Sequence, residues 1–566
     1  MTYDWKSKTS DQKVKIIEGN QARFEKVRQD LNDLWGMIVQ IFRPRRYDIL
    51  PNKGRKKGER YGANIFDQGP ANSLHKFTSG KLGYMVNRSV PWIQFLSTDS
   101  KLMRLDHVKN YCDNAAEQTL YAAGRSNFYT SMVLSSLDAD SIGTSVMVPM
   151  RDEVKDRTVF DVVHPNESYI GVDQFGDTNI YHRNPLKLTR MNAVSMFGRD
   201  KFPTTWFKDG ELKEILQEDD YIWAVYPNDD RDNTSALSID KKFYTMCVLK
   251  GSGNSQGKKS RLVYESGRDY FPICYRSGRE SGSPYGTSIA ADCLTAALMA
   301  NKLAEKSIEA AHRAVDPAKI ASKTLRSSLM TAGGGRPGST VYVDDINREG
   351  IKTWMDRQPW PITDAQIQRL DGLIQDRMFI RFFEMLSSGD IKARTAYEVS
   401  QMMAEKATLM STIIDTLEQE VLEPGIEIFV LEETRAGRMP EPPGELLEAD
   451  GKVDIRYLGP LAQLQRSLLR GKGTIESLDL IERMMAMSQE VGWVFNWRQM
   501  AEDVTIAQGL PQKLVTSDEQ QQAKADEAAQ LQQQAVQAQL MESAGKALPG
   551  MGKAPEQGSL MESAAT

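Results

Sequence analysis

The chain has 566 residues, of which 26% are charged and 40% hydrophobic, and it carries a formal net charge of −5. That length supports a large core and more than one structural unit, and the composition is ordinary for a globular protein. A net acidic chain is not built to adhere to nucleic acid over its whole surface, the N-terminus lacks the apolar run of a secretory leader, and no apolar run approaches the roughly 20 residues of a membrane span.

Residues 9–42 place Ile16, Ile17, Phe24, Val27, Leu31, Leu34, Trp35, Ile38 and Ile41 on one face at helical spacing, and Pro44 ends the run. A basic loop follows over residues 43–60, with RPRR and KGRKKGER. A second helix is expected from Ile65-Phe66-Asp67 to about Asn87, a strand over Pro91 to Leu96, and a further helix over residues 105–137. From 142 to 275 the pattern changes to short β-branched and aromatic runs separated by turn residues, interrupted by one helix near 189–199.

Ser283 and Pro284 read as the cap and first residue of an Ala-rich helix that continues to about Arg313. Thirty helical residues would span about 45 Å, more than a compact domain needs. Residues 314–360 are rich in turns, with at least one strand. Thr363 and Gln366 have the spacing of a capping box and open a helix whose stripe runs from Ile367 to Leu386. The polar stretch SSGDIKAR breaks it, and Thr395 with Glu398 opens the next helix, which reaches Glu423 before Pro424 and Gly425 kink or end it. Another helical segment extends to Gly437, VDIRY at 453–457 reads as a returning strand, and helices are expected over 459–470, 474–490 and about 496–508. The tail from Thr516 is rich in Gln and Ala, and its last twenty residues have a composition that favours disorder.

Catalytic and cofactor signatures are weak. The run from Gly251 to Ser260 places Lys259 where a phosphate-binding loop needs its hydroxyl, so a hairpin tip is the expected reading. The doublets Asp219-Asp220, Asp229-Asp230 and Asp344-Asp345 read as solvated turns, because neighbours on a strand point to opposite faces. The four cysteines and five histidines are scattered, which fits reduced thiols and gives no ligand spacing. No catalytic residue, cofactor or metal is expected. The basic loop could grip phosphate or pair with acidic residues of a neighbouring subunit.

Four phrases resemble the portal, or head-tail connector, proteins of T7-like short-tailed bacteriophages. The first runs from Ile65-Phe66-Asp67 through Gly80-Lys81-Leu82 to Pro91-Trp92-Ile93-Gln94-Phe95. The second is DSIGTSVMV at 140–148, followed by FDVVHPNESY at 160–169. The third is SPYGTSIAAD at 283–292, with Asn301 beyond it. The fourth is RTAYEV at 394–399 with Glu405, then EVLEPGI at 420–426, extended by LGPLAQLQ at 458–465. Together they span about residues 60–470, in matching order and spacing.

The resemblance implies an α+β portal-type fold, with long central stem helices, a β-rich wing and a small α/β clip, assembled as a ring. Residues 1–283 would be the N-terminal wing, 284–313 and 361–386 the stem helices, 314–360 the clip and 387–394 a tunnel loop. Residues 395–450 would be a long helix returning to the wing, 451–515 C-terminal wing or crown helices, and 516–566 a partly disordered tail. The implied channel lining is Ser387, Ser388, Gly389, Asp390, Lys392 and Arg394 in the tunnel loop, with Lys302 and Lys306 on the stem, and the implied clip-docking residues are Arg336, Tyr342, Asp344 and Asp345. The implied partners are identical copies in a closed ring of about twelve, double-stranded DNA passing through it, the terminase packaging motor, a tail adaptor, and the major capsid and scaffolding proteins, with no membrane. The protein would sit at a capsid vertex of the virion after assembly in the host cytoplasm. It would serve packaging, ejection and head-tail joining without being an enzyme. The competing readings are a nucleic-acid-processing enzyme of the packaging apparatus and a helical scaffold or adaptor protein.

Overall fold

The computed structural model describes residues 4–44, 64–99, 101–208, 211–229, 231, 237–251, 260–315, 319–320, 352–353, 360–388, 408–448, 453–462, 526–527, 530–534 and 536–537. The described helices are α1 (Ser10–Phe42), α2 (Gly69–Met85), α3 (Asp106–Arg125), α4 (Phe128–Ile142), α5 (Arg190–Phe197), α6 (Ile289–Val315), α7 (Trp360–Arg377), α8 (Ile380–Ser388), α9 (Ser411–Leu417), α10 (Glu423–Arg435) and α11 (Gly444–Glu448). The strands are β1 (Ile93–Ser97), β2 (Thr144–Asp152), β3 (Arg157–Val163), β4 (Ser168–Val172), β5 (Thr178–Thr189), β6 (Phe207–Lys208), β7 (Glu211–Leu212), β8 (Glu218–Pro227), β9 (Phe243–Leu249), β10 (Arg261–Arg268), β11 (Ile273–Arg276), β12 (Lys319–Ile320), β13 (Lys352–Thr353) and β14 (Val453–Tyr457). Helix and strand are mixed throughout, as an α+β chain requires.

Two compact units emerge. The larger comprises Met1–Trp92, Gln118–Met439 and Tyr457–Leu469, and the smaller Ile93–Glu117, Pro440–Arg456 and Arg470–Thr566. In the smaller unit β1 pairs with β14, and His107 Nε2 lies 3.1 Å from Glu445 Oε2.

The larger unit is organised by α1 and two antiparallel sheets. One sheet has the order β10-β9-β8-β5-β4, the other β11-β2-β3. Alternation along β8 and β9 sends Ile222, Ala224, Tyr226, Tyr244, Met246 and Val248 to one face, where they pack on Trp5, Val14 and Ile17. The residues between them, Tyr221, Cys247 and Leu249, join Ala193, Phe202 and Trp206 in another cluster. With both faces covered, β9 reads in sequence as FYTMCVL, apolar at every position but the buried Thr245. Further along α1, Trp35 and Val39 pack with Ile142, Val146, Val163, Tyr181, Cys274 and Tyr285, so α1 bridges both sheets. Its start matches expectation, with Gln12 Oε1 accepting from the Thr9 N–H at 3.0 Å.

Several helix boundaries differ from the sequence reading. The helix expected over 105–137 is two helices. Ser126 Oγ accepts from the Phe128 N–H, and the Asn127 side chain both accepts from Phe160 N–H (2.8 Å) and donates to Phe160 O (2.9 Å), so the side chain of Asn127 pairs with β3 as a strand would. The helix expected to run unbroken over 361–386 starts at Trp360 and stops at Arg377, because Phe379 has a left-handed φ of 54°. Thr363 therefore lies inside α7 and does not cap it. Between α9 and α10 a π turn covers Glu418–Leu422, immediately before Pro424, whose ring nitrogen cannot donate to the preceding turn. The expected kink at Pro424 is thus a change of helical register within a continuous helical run.

His182 fastens α1 to the five-stranded sheet. Its ring is fully buried, with Nδ1 3.0 Å from Gln21 Oε1 and Nε2 2.8 Å from Tyr226 Oη. Burial disfavours the charged ring and lowers its pKa from 6.5 to about 3. The unfolded chain therefore binds a proton that the folded chain refuses between those values. Stability is full above pH 6.5 and should fall by about 1.4 kcal/mol per pH unit below it. Denaturant midpoints at pH 7 and pH 5 should show that loss in the native protein and a shallower one in His182→Gln.

Candidate functional site at the root of the long helix

Several of the quoted sequence phrases, in the parts that fall among the described residues, are joined to one another around α6 and α2, while residues 394–399 and Glu405 lie outside the described residues. Helix α4 ends at Gly143, whose φ of 92° is left-handed and whose N–H donates to Ala139 O at 2.8 Å. The turn before α6 lies directly on it. A Cβ at Gly143 would sit 2.0 Å from Gly286 O, and one at Gly286 would sit 2.6 Å from Gly143 O. Around this contact Ser277 N–H donates to Gly143 O (2.9 Å), Gly286 N–H to Thr144 Oγ1 (2.9 Å), and Ser288 Oγ to Ser141 O (2.6 Å). Ser288 Oγ also accepts from Ala291 N–H at 3.0 Å, so Ser288 caps α6. Ser283, the expected cap, instead accepts from Tyr285 N–H within the turn, and the helix begins five residues after Pro284.

Farther along α6, Asn301 Oδ1 accepts from Phe66 N–H (2.8 Å) and Asp67 N–H (3.2 Å), while its Nδ2 donates to Asn64 O (3.0 Å). Asp67 Oδ1 then accepts from Gly69 N–H, at the start of α2. The other end of α2 meets the LGPLA phrase. A Cβ at Gly459 would lie 2.7 Å from Met85 O, and Leu458 N–H donates to Trp92 O at 2.7 Å.

Charged side chains lock these elements from inside. Lys81 and Asp140 form an ion pair with no exposed surface on either side chain. Thr78 Oγ1 donates to Asp140 Oδ2 (2.7 Å) and Lys81 Nζ to Tyr275 Oη (3.2 Å). Burial opposes the charge on Lys81, but the Asp140 carboxylate outweighs it and holds the ammonium above its usual range. Glu420, in the π turn, takes three bonds from Arg276: N–H to Oε2 at 2.6 Å, and Nε and Nη2 to Oε1 at 2.9 and 2.6 Å. Arg279 Nε adds a bond to Oε1 at 2.7 Å. Arg43 pairs with buried Asp138 on α4. On α1, Arg28 is almost wholly buried and donates to the carbonyls of Pro165, Asn166 and Ser168, under the HPNESY phrase.

The sequence reading did not single out Arg28, Asp138, Arg276 or Glu420. A usable signal existed for Arg28, which sits inside the apolar stripe of α1 between Phe24 and Leu31, where a solvated charge has no place. Asp138 carries no comparable mark.

The implied channel residues fall differently. Lys302 and Lys306 are exposed on α6, and each is paired one turn on, Lys302 with Glu305 and Lys306 with Glu309 (2.8 Å). Ser387 and Ser388 close α8 and do not open a loop. Gly389, Asp390, Lys392 and Arg394 lie outside the described residues, as do Arg336, Tyr342, Asp344 and Asp345. The basic run loses its first member to the core through Arg43, and its residues 45–60 lie outside the described set. Gly251 N–H donates to Ser260 Oγ at 3.1 Å, at the ends of the connection between antiparallel β9 and β10. Asp219 is held by Arg190 Nε at 2.9 Å. Among the described residues no group of three or more His, Cys, Asp or Glu side chains could hold a metal ion, and no helix is long and apolar enough to cross a membrane.

Comparison with known proteins bears on what this junction serves. Residues 15–515 match the family described as bacteriophage head to tail connecting protein. A probable portal protein of Bordetella phage BPP-1 is 24% identical over 468 residues, covering 81% of this chain and 80% of the relative. A portal protein of Salmonella phage epsilon15 is 22% identical over 458 residues, covering 79% of each.

Two glycines with similar φ separate backbone strain from backbone contact. Gly176 (φ 84°) has open space around it, so Gly176→Ala should cost only the left-handed penalty of about 1–2 kcal/mol. Gly143→Ala adds a collision with backbone and should cost more than about 4 kcal/mol. Glu420→Gln, which leaves Arg276 charged in a buried site, should cost about 3–5 kcal/mol. Urea midpoints of the three variants check the order.

Proposed function

This chain belongs to the bacteriophage head to tail connecting protein family and functions as a phage portal protein; on that premise we propose that identical copies close into a ring of about twelve and that duplex DNA passes through it during packaging and ejection. One observation carries the ring. Helix α6 runs 27 residues, about 40 Å, and leaves Leu298, Met299 and Ile308 at 41%, 55% and 42% exposure. Large apolar side chains repeated along one rigid helix call for an apolar neighbour, and a head-to-tail ring supplies one to every copy.

The same helix supports a conducting role. Its two outward lysines are balanced by Glu305 and Glu309, so it offers DNA no uncompensated row of cations. Tight neutralisation of many phosphates would hold the duplex in place. Weak contacts, from Lys302 and Lys306 as their pairs exchange and from Lys392 and Arg394 in a tunnel loop that follows Ser388, would guide it. In this reading residues 314–360 form the clip, and Arg336, Tyr342, Asp344 and Asp345 meet the terminase motor and then the tail adaptor. The wing faces the capsid shell and scaffold. The protein resides in the virion and catalyses no reaction.

Negative-stain images and native mass of the purified full chain test the reading. The expected result is an annulus with a central hole wide enough for duplex DNA. Leu298→Glu with Met299→Glu, both at exposed positions, should leave the melting profile unchanged and raise the concentration needed for assembly at least ten-fold. A native protein that remains a monomer or dimer under every condition overturns the proposal.

A further inference from the structure

We propose that the turn at residues 214–217 of one copy of this chain docks its Ile215 and Leu216 side chains into an aromatic cleft on a second copy. Leu216 is 79% and Ile215 47% exposed. Exposed Met191 of α5 lies beside them, its N–H donating to Ile215 O at 3.3 Å. Neither Ile215 nor Leu216 joins the clusters packed around α1, α5 and the two sheets. The display is rigid. Glu214 has a left-handed φ of 50°, unfavourable for a residue with a Cβ. Arg190 holds it there: Nη1 donates to Glu214 Oε2 (2.7 Å), Nε to Asp219 Oδ2 (2.9 Å) and the backbone N–H to Gln217 O (3.0 Å). A turn already fixed in shape loses little freedom when it binds.

The receiving cleft has a volume of about 720 Å³ and is lined by Phe243, Tyr270, Phe271, Pro424, Ile428 and Leu431 of the larger unit. Its charges are largely occupied. Glu420 binds Arg276 and Arg279, Arg279 also reaches Asp177 at 3.5 Å, Asp269 binds Lys241 and Arg435, and Glu423 is engaged as well. The apolar wall is what the cleft leaves without a partner, and it calls for an apolar guest. Lys242 is exposed in the lining, 5.5 Å from the centre of the Phe243 ring, with no ion pair among the described residues. Glu218, exposed at the foot of the turn, is likewise unpaired among them, so docking gives each a counterpart.

Turn and cleft lie at opposite ends of the five-stranded sheet. Strand β5 starts at Thr178 in the cleft wall and ends at Thr189, opposite Glu218. Strand β8 runs back from Glu218 to Pro227, which pairs with Phe243 of the cleft. That path is about 30 Å of strand, so the turn does not reach the cleft of its own subunit. Complementary patches at opposite ends of one body make a head-to-tail contact, the kind that closes rings. The inference rests on the ring reading and names a surface for it.

Two measurements on the full-length protein test it. Ile215→Ser with Leu216→Ser should leave the melting profile unchanged and raise the concentration needed for assembly at least ten-fold, read by native mass spectrometry. If that variant melts earlier, the second measurement alone decides. Leu216→Cys and Glu427→Cys, the latter at an exposed position of the cleft lining, on separate chains, mixed and treated with a bismaleimide, should give a covalent two-chain product. The four native cysteines are buried, with thiol pKa values raised to about 11 or 12, and stay silent. A native ring with no loss of assembly in the serine variant, or with no two-chain product, overturns the docking and leaves the ring reading intact. Absence of any native ring overturns the ring reading and the docking with it. A chain carrying both cysteines that cross-links to itself as a monomer shows the turn reaching its own cleft and overturns the proposal. So does a serine variant that assembles as native but is missing from assembled heads, which assigns the turn to a shell or scaffold protein.

Discussion

The contact of two backbones at Gly143 and Gly286 constrains everything around the long helix. No side chain can be inserted between them, because each glycine's missing Cβ would fall on the other's carbonyl. The contact fixes three directions at once. Helix α4 must end and turn into β2, Ser277 just beyond β11 is bonded to Gly143 O, and the turn that opens α6 is laid against both. Ser288 then uses one hydroxyl to bond α4 and to cap α6, so the helix is aimed by the same atoms that start it. A long helix pivots easily at its root, since a small angular error grows with length. A rigid backbone seat removes that freedom in a way that mobile side chains could not.

The buried ion pairs serve the same end by different physics. Lys81 with Asp140 and Arg276 with Glu420 join elements 59 and 144 residues apart in sequence. Such pairs gain little over an apolar core of equal volume, because dehydration of two charges offsets their attraction. They are demanding about geometry, and a packing shifted by one residue would leave a charge stranded. Glu420 illustrates this. The π turn places it to accept from Arg276 and Arg279 together, and the absence of a donor at Pro424 favours such a turn at that point. We read these pairs as fixing which packing forms, more than as adding stability.

Much of this was legible in sequence. Helix α1, the β-rich stretch and α5 follow directly from period and turn chemistry, although Val27 of the expected α1 stripe is exposed. The quoted phrases also mark the junction, because Gly143, Gly286, Asn301, Glu420 and Gly459 all stand within them or beside them. Sequence could not show that they touch, since Gly143 and Gly286 are 143 positions apart and a glycine does not announce what approaches it. The missed boundaries have a common cause, in that local propensity was overridden by tertiary partners. Asn127 breaks a helix because β3 offers it two backbone bonds. Ser283 loses the cap to Ser288 because the intervening turn is held by Thr144 Oγ1, which accepts from Gly286 N–H, and by Gly278 O, which accepts from Thr287 N–H. Phe379 adopts a left-handed φ with no glycine or asparagine to signal it. Among the implied channel and clip residues, only Lys302, Lys306, Ser387 and Ser388 fall within the described structure.

The charge arrangement on α6 ties the root to the proposed passage of DNA. Each lysine precedes its glutamate by three residues, the order less favoured by the helix dipole. Exposed pairs of this kind contribute at most about 1 kcal/mol, so each exchanges readily for another partner. In the proposed conduit a lysine released from Glu305 or Glu309 would meet a passing phosphate and return when the phosphate moves on. The glutamate left behind would repel the next phosphate and limit how long the contact lasts. A stem with unpaired lysines would bind more strongly and release more slowly. The combination of a rigid root with loosely paired charges above it therefore suits a conduit, in which the helix must hold its direction while nothing along it holds the cargo.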